Sequence, residues 1–168
     1  MKITDYNGSG FWSIEAVRAR YAEYARRFAV SAPRDLTPLI QSTDEGRWIY
    51  PVMDRVIEGI EQGDPACAEI GVEFVEESGS FAFGRILKSN TARALRRTTL
   101  THEQKERIRK RVVEMLEASY LPREFRQYAK LVRKIGLGDW LPRVREQAEL
   151  AVPPVQRYFA YFLEHASH

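Results

Sequence analysis

The feature that most constrains this chain is the helical spacing of its apolar residues, which recurs along nearly the whole sequence. In the clearest example, Ile108, Val112 and Leu116 form an apolar stripe that follows a capping box at Thr101 and Gln104. No segment alternates convincingly between apolar and polar residues, and no Asn-Gly or Asp-Gly hairpin turn occurs. The sequence therefore predicts an all-α fold with a helical content of about three quarters, well above the usual content.

The predicted architecture has about eight or nine helices connected by short linkers, which are typical of antiparallel neighbours. The predicted helices cover about residues 13–29, 47–62, 65–78, 81–97, 102–119, 122–136 and a stretch from 140. Pro153 and Pro154 are expected to break the chain before a last helix, which carries Val155, Tyr158, Phe159, Phe162 and Leu163. Within 81–97, the spacing places Phe83 and Ile86 toward the core. With 168 residues, the chain is expected to form a single domain over 1–168.

A weak internal repeat lies within this layout. A shift of 56 or 57 residues superposes matching residue types: Val56, Ile60, Pro65 and Gly79 fall on Val112, Leu116, Pro122 and Gly136. The stretch 48–79, with Asp64-Pro65 at its turn, resembles a HEAT repeat, and 101–136 is similar but has Leu121 in place of the aspartate. The resemblance implies stacked antiparallel helix pairs in an irregular HEAT-like (armadillo-like) superhelix. An irregular helical bundle remains the alternative.

Charge is distributed unevenly along the sequence. The chain has 26 basic and 23 acidic residues and a net charge of only +3, yet residues 1–84 carry −6, residues 85–145 carry +11 and residues 146–168 carry −2. Asymmetry of this kind indicates a charged binding face.

The basic region supplies the candidate site for a protein partner or a nucleic acid. Its members are Arg and Lys residues on three predicted helices: Arg93, Arg96, Arg97, Arg107, Lys110, Arg111, Arg126, Lys130 and Arg133. Such a stripe suits phosphate backbones or an acidic protein. The spacing of Glu103 and Arg107 instead indicates an ordinary solvated, salt-bridged helix face, so all three interpretations stay open.

Two acidic stripes precede the basic region. They consist of carboxylates at helical spacing on consecutive helices: Asp54, Glu58 and Glu61, then Glu69, Glu73, Glu76 and Glu77. The simplest interpretation is a solvated acidic surface, and the alternative is a surface for a basic partner.

Candidates for catalysis and metal binding are weak, so no enzyme activity, metal or cofactor is expected. Carboxylate helices that hold two metal ions also need Glu-x-x-His motifs, which this chain lacks. We expect Cys67 to be a small buried residue, and His165 with His168 to form no metal site. Asp139 and Trp140 are interpreted as a helix cap and a buried anchor.

These observations favour a non-enzymatic, cytoplasmic interaction protein that presents a charged face to an unidentified protein partner. A HEAT-like nucleic-acid-binding module that uses the 85–145 region is the alternative. No apolar run is long enough for a membrane span, so no membrane association is expected. A homodimer through the aromatic C-terminal helix is a further possibility, carried by Tyr158, Phe159, Tyr161 and Phe162.

Overall fold

The computed structural model describes residues 1–165, and over that range it is mostly helical, with 59% helix. The predominantly helical prediction is confirmed, although the content is below the predicted three quarters. The helices are α1 (Ile14–Arg27), α2 (Met53–Glu61), α3 (Pro65–Glu76), α4 (Gly84–Arg96), α5 (His102–Glu117), α6 (Phe125–Ile135), α7 (Trp140–Gln147) and α8 (Pro153–Glu164). Three strands accompany them: β1 (Lys2–Asp5), β2 (Ile40–Ser42) and β3 (Gly46–Ile49).

Packing divides the chain into two compact units, Met1–Thr99 and Leu100–His168. The first unit contains the three strands and α1–α4, and the second contains α5–α8. The first unit has 13 basic and 14 acidic residues, and the second has 13 and 9, so their net charges are −1 and +4. The basic region defined from the sequence therefore crosses the boundary between the units. The single domain over 1–168 stays a prediction.

The predicted helix caps are present at Asp64 and Thr101, where the cap residue has extended backbone. Asp64 caps α3, because its side chain accepts hydrogen bonds from the backbone N–H groups of Ala66 and Cys67. The capping box of Thr101 and Gln104 opens α5 as predicted. Asp139, however, has helical backbone and makes no capping bond to α7, so its predicted cap role is wrong.

The prediction that the chain has no strands was wrong, as was the predicted helix from residue 47. β3 lies between the other two strands, parallel to β1 and antiparallel to β2, with Ile3 opposite Arg47 and Gln41 opposite Trp48. Strands of three or four residues are too short to show alternation, and β1 pairs with residues 44 positions away in sequence. α2 begins only at Met53, after Pro51.

The core of the first unit is centred on α3. Nine of its twelve residues are buried, and α1, α2 and α4 all pack on it. Close approach requires glycine here: a Cβ on Gly59 of α2 would lie 2.3 Å from Cys67 Sγ. Phe83 and Ile86 are 48% and 61% exposed, so the prediction that they lie in the core was wrong. Phe83 immediately precedes α4 and Ile86 lies in its first turn, where no other helix among residues 1–165 covers them.

The core of the second unit lies between α5 and α6, with contributions from α7 and α8. Its largest fully buried side chains include Ile108, Leu116, Phe125 and Leu131. α2 and α5 end 56 residues apart, at Glu61 and Glu117, in agreement with the offset of the weak sequence repeat. Among residues 1–165, none of the helices is both long and apolar enough to cross a membrane.

Candidate partner-binding surface

The nine basic residues singled out from the sequence divide between the two units. Arg93, Arg96 and Arg97 lie at the C-terminal end of α4 in the first unit, where the helix dipole favours cations. Arg93 is exposed and donates a hydrogen bond to Asn90 Oδ1 at 3.0 Å. The other six residues lie on α5 and α6 in the second unit.

Most cations of α5 are neutralised within the unit. Arg107 lies 3.9 Å from Glu103, and Lys110 lies 3.9 Å from Glu114, as the sequence spacing indicated. Arg111 is only half-exposed, and its charge acts on the buried hydroxyl of Tyr128. α5 therefore offers little free positive charge to a partner.

α6 differs from α5, because its outward face carries cations without carboxylate partners. Its inward face is buried, whereas Arg126, Lys130 and Arg133 follow one another at i, i+4 and i+7 on the opposite side. Arg126 and Arg133 are exposed and Lys130 is half-exposed. No ion pair joins any of these three residues to a carboxylate within residues 1–165. Their charge is therefore available to an acidic ligand.

α8 adds a further cation beside α6. The ring of Tyr158 contacts the ring of Phe125 edge-on, with centroids 4.6 Å apart, which brings Arg157 to the N-terminal end of α6. Burial raises the pKa of Tyr158, while the charges of Arg126 and Arg157 oppose that rise. We name the set Arg126, Lys130, Arg133 and Arg157 the α6–α8 basic surface.

Arg157 was missed from the sequence because it is the single basic residue of an acidic C-terminal segment. Its only sequence signal was its position next to an aromatic residue expected to pack inward. Of the four aromatic residues of α8, Phe162 is buried and Tyr158 packs on Phe125. These two are thus used within the second unit, and dimerisation through α8 stays a prediction.

Two carboxylates of the α3 acidic stripe, Glu69 and Glu73, are not solvated as the sequence indicated, whereas Glu76 is exposed. Glu69 is only 6% exposed and lies 3.4 Å from Arg27, while Glu73 lies 3.5 Å from Arg20. The Tyr24 hydroxyl donates to Glu73 at 3.0 Å, and burial together with this carboxylate raises the pKa of Tyr24 to about 12. Because α1 packs on α3, these carboxylates are contacts between helices rather than a surface for a basic partner.

Two residues considered from the sequence, Cys67 and Trp140, lie in structural environments. Cys67 is buried, and burial raises the pKa of its thiol, which disfavours the reactive thiolate. Trp140 Nε1 donates to Glu106 at 3.0 Å, so this indole anchors α7, although it is half-buried rather than buried as predicted. Among residues 1–165, no group of three or more His, Cys, Asp and Glu side chains could hold a metal ion. His168 lies outside the described residues.

A groove of about 650 Å³ runs between α1 and the extended segment 30–36 in the first unit. Its α1 side is formed largely by alanines, with Arg18 and Arg26 beside them. None of the nine basic candidates lines this groove, and neither a histidine nor a cysteine is among its lining residues. It therefore adds no chemistry to the basic surface.

No protein-family model, curated protein or solved structure matches the chain.

Proposed function

We propose that this protein is a non-enzymatic helical interaction module whose α6–α8 basic surface binds an acidic face of a protein partner. The observation that carries the proposal is the contrast between α5 and α6. Most cations on α5 are paired within their own unit, whereas Arg126, Lys130 and Arg133 face outward without carboxylates. Exposed, uncompensated charge of one sign steers oppositely charged partners and selects among them.

The arrangement also favours a protein over an extended nucleic acid. The unpaired cations span only two turns of α6, about 10 Å along the helix axis. Glu103 and Glu114 lie on the neighbouring α5, where they would repel a phosphate backbone that continued past α6. A partner helix with acidic residues at matching i, i+4 and i+7 positions fits the length of this stripe.

The HEAT-like arrangement is part of the same proposal. The helix pairs α2–α3 and α5–α6 each pack as neighbours, and their offset agrees with the repeat in the sequence. HEAT-like helix pairs present outward helix faces as binding surfaces, which is the role proposed for α6.

Capture from the source cells tests the proposal with matched variants. The full chain, the variant Arg126→Glu/Arg133→Glu and the control Arg26→Glu/Arg85→Glu are immobilised, and retained proteins are compared at low and moderate salt. All four positions are exposed, and both variants change the net charge equally. An acidic protein retained by the parent and the control but lost from Arg126→Glu/Arg133→Glu would support the proposal.

The nucleic-acid alternative is tested with the same variants. A labelled DNA duplex and a single strand are titrated against each protein at two salt concentrations. Binding with a steep salt dependence, together with loss of the captured protein when duplex is added, would replace the proposal with the nucleic-acid alternative. Equal capture of every protein by all three chains would contradict the proposal, and DNA binding that is absent, or equal in all three, would contradict the alternative.

A further inference from the structure

We infer that Arg126, Arg157 and Tyr158 form an anion site for a phosphorylated side chain of the acidic partner. This inference rests on the proposed function, because the site forms one end of the α6–α8 basic surface. It names a chemical group that the partner must carry, beyond simple negative charge.

The geometry that carries the inference is the contact between α6 and α8. Phe125 and Tyr158 touch ring to ring at 4.6 Å, Arg126 follows the first of them and Arg157 precedes the second. Two arginines from different helices thus lie next to this contact, and the charges of both act on the half-buried phenol of Tyr158. Both arginines are exposed, and neither has an ion-pair partner within the part of the chain that the structure describes.

The nearest carboxylate in sequence does not neutralise this pair of cations. Glu124 is only 7% exposed, and its charge acts on the hydroxyl of Tyr128 on the buried side of α6. Arg126 is also the second residue of α6, in the first turn, where the helix dipole favours anions rather than cations. An anion bound beside Arg126 would therefore interact favourably with both the guanidinium group and the helix dipole.

The donors match a phosphomonoester better than a carboxylate or a phosphodiester. Two guanidinium groups and one phenol O–H present several donors and two positive charges toward one region. A phosphomonoester carries nearly two negative charges and three acceptor oxygens, and planar guanidinium groups bind such oxygens in pairs. A carboxylate or a nucleic-acid phosphodiester supplies only one negative charge.

Calorimetric titration with two peptides tests the inference on the full chain. Both are glutamate- and alanine-containing peptides of one sequence, with phosphoserine at the central position of the first and glutamate at that position of the second. We expect the parent protein to bind the phosphopeptide about tenfold more tightly, since the phosphate can form one to three additional charge-assisted hydrogen bonds.

Variants assign this preference to the three residues. Arg126→Gln/Arg157→Gln should abolish the preference, and Tyr158→Phe should reduce it while keeping the ring contact with Phe125. Arg123→Gln removes an exposed arginine just before α6 and should leave the preference intact. A preference that survives in Arg126→Gln/Arg157→Gln would overturn the inference.

The outcome also separates the inference from the proposed function. If the parent binds both peptides equally and Arg126→Glu/Arg133→Glu abolishes both interactions, the inference fails and the proposed function stands. If the parent binds neither peptide, the inference fails, and the capture experiment with Arg126→Glu/Arg133→Glu decides the proposed function.

Discussion

The ring of Tyr158 on α8 contacts the ring of Phe125 on α6 at a centroid distance of 4.6 Å, with the planes inclined by 71°. Edge-to-face pairs of this kind stabilise the fold beyond the contribution of buried apolar area, and Phe125 is fully buried. The contact fixes α8 beside α6 and gives the second unit a surface to which two helices contribute cations. It explains why a lone arginine in an acidic segment belongs to the candidate site.

Replacement of Asp64 is expected to destabilise the first unit more than an ordinary surface change. Its carboxylate accepts hydrogen bonds from Ala66 N at 2.8 Å, Cys67 N at 3.3 Å and the Tyr21 hydroxyl at 2.6 Å. Asp64→Ala removes the cap of α3 and leaves the buried phenol of Tyr21 without this acceptor, at a cost of about 2–4 kcal/mol. Urea denaturation measures the change.

Asp64→Asn keeps an acceptor oxygen and should recover part of that loss. The control Asp44→Ala, in the exposed turn before β3, should change the unfolding free energy by less than about 0.5 kcal/mol. Equal losses for Asp64→Ala and Asp44→Ala would show that the cap contributes nothing.

Stability is expected to fall at alkaline pH because two buried tyrosines resist ionisation. Burial is the main cause that raises the pKa of Tyr21 and of Tyr24 from 10.0 to about 12. Between these values the unfolded chain has lost phenolic protons that the folded chain retains, so rising pH favours the unfolded state. The stabilisation is complete below pH 10 and is lost as pH rises toward 12.

Denaturation at several alkaline pH values, together with the absorbance of ionised tyrosine, checks this expectation. The double variant Tyr21→Phe/Tyr24→Phe should be less stable at neutral pH but should lose stability less steeply above pH 10. An unchanged slope in this variant would show that other groups cause the alkaline loss.

Arg109 is expected to act as a structural residue despite its position in the basic region. Its Nε donates to the carbonyl oxygen of Gly136 and its Nη2 to that of Ile135, both at 2.6 Å, so it satisfies the C-terminal end of α6. Arg109→Met should cost about 2–4 kcal/mol, since charged donors to buried carbonyls are lost.

Arg109→Lys should lie between the parent and Arg109→Met, because one ammonium group cannot reproduce the two-pronged geometry of a guanidinium. The exposed Arg145 provides the control, and Arg145→Met should have little effect in the same thermal or urea denaturation. A loss at Arg109 no larger than that at Arg145 would exclude the structural role.

Gly59 is expected to tolerate no side chain. A Cβ at this position would lie 2.3 Å from Cys67 Sγ and 3.0 Å from Cys67 Cβ, so α2 and α3 would have to separate. Gly59→Ala should therefore cost about 1–3 kcal/mol, although alanine normally favours helices. Glu61→Ala, on the exposed side of α2, is the matched control in denaturant titrations.

A double-mutant cycle identifies the cause of the Gly59→Ala loss. Cys67→Ala in the Gly59→Ala background removes the sulfur and should recover part of the lost stability, with a favourable coupling energy. Additive effects of the two substitutions would mean that the close approach is not the source of the cost.

Local signals predicted the helices well because each depends on a few neighbouring residues. Asp64-Pro65 marked the start of α3, and Thr101 with Gln104 marked the start of α5. The sheet was not predicted, and its two pairings were missed for different reasons. β1 and β3 pair residues 44 positions apart, which no short window of sequence contains. β2 and β3 pair within residues 40–49, but these strands are too short to show alternation of apolar and polar residues.

The candidate site was predicted only in part for a similar reason. Helical spacing identified Arg126, Lys130 and Arg133 as one stripe, and it also indicated the pairing of Arg107 with Glu103. Spacing cannot show which helix packs against a given face. Glu69 was therefore expected in solvent although α1 covers it, and Arg157 was overlooked although α8 brings it to α6.

Cations of α6, rather than those of α4, are expected to bind the acidic partner. The affinity of the captured partner for two variants with equal charge change distinguishes the two helices: Arg126→Glu/Arg133→Glu and Arg93→Glu/Arg97→Glu. All four arginines are exposed, so neither variant disturbs a core. We expect the α6 variant to lose at least about tenfold in affinity, because each reversal replaces attraction with repulsion. The α4 variant should stay within about threefold of the parent. Equal losses of affinity for both variants, or a larger loss for the α4 variant, would contradict binding of the partner through α6.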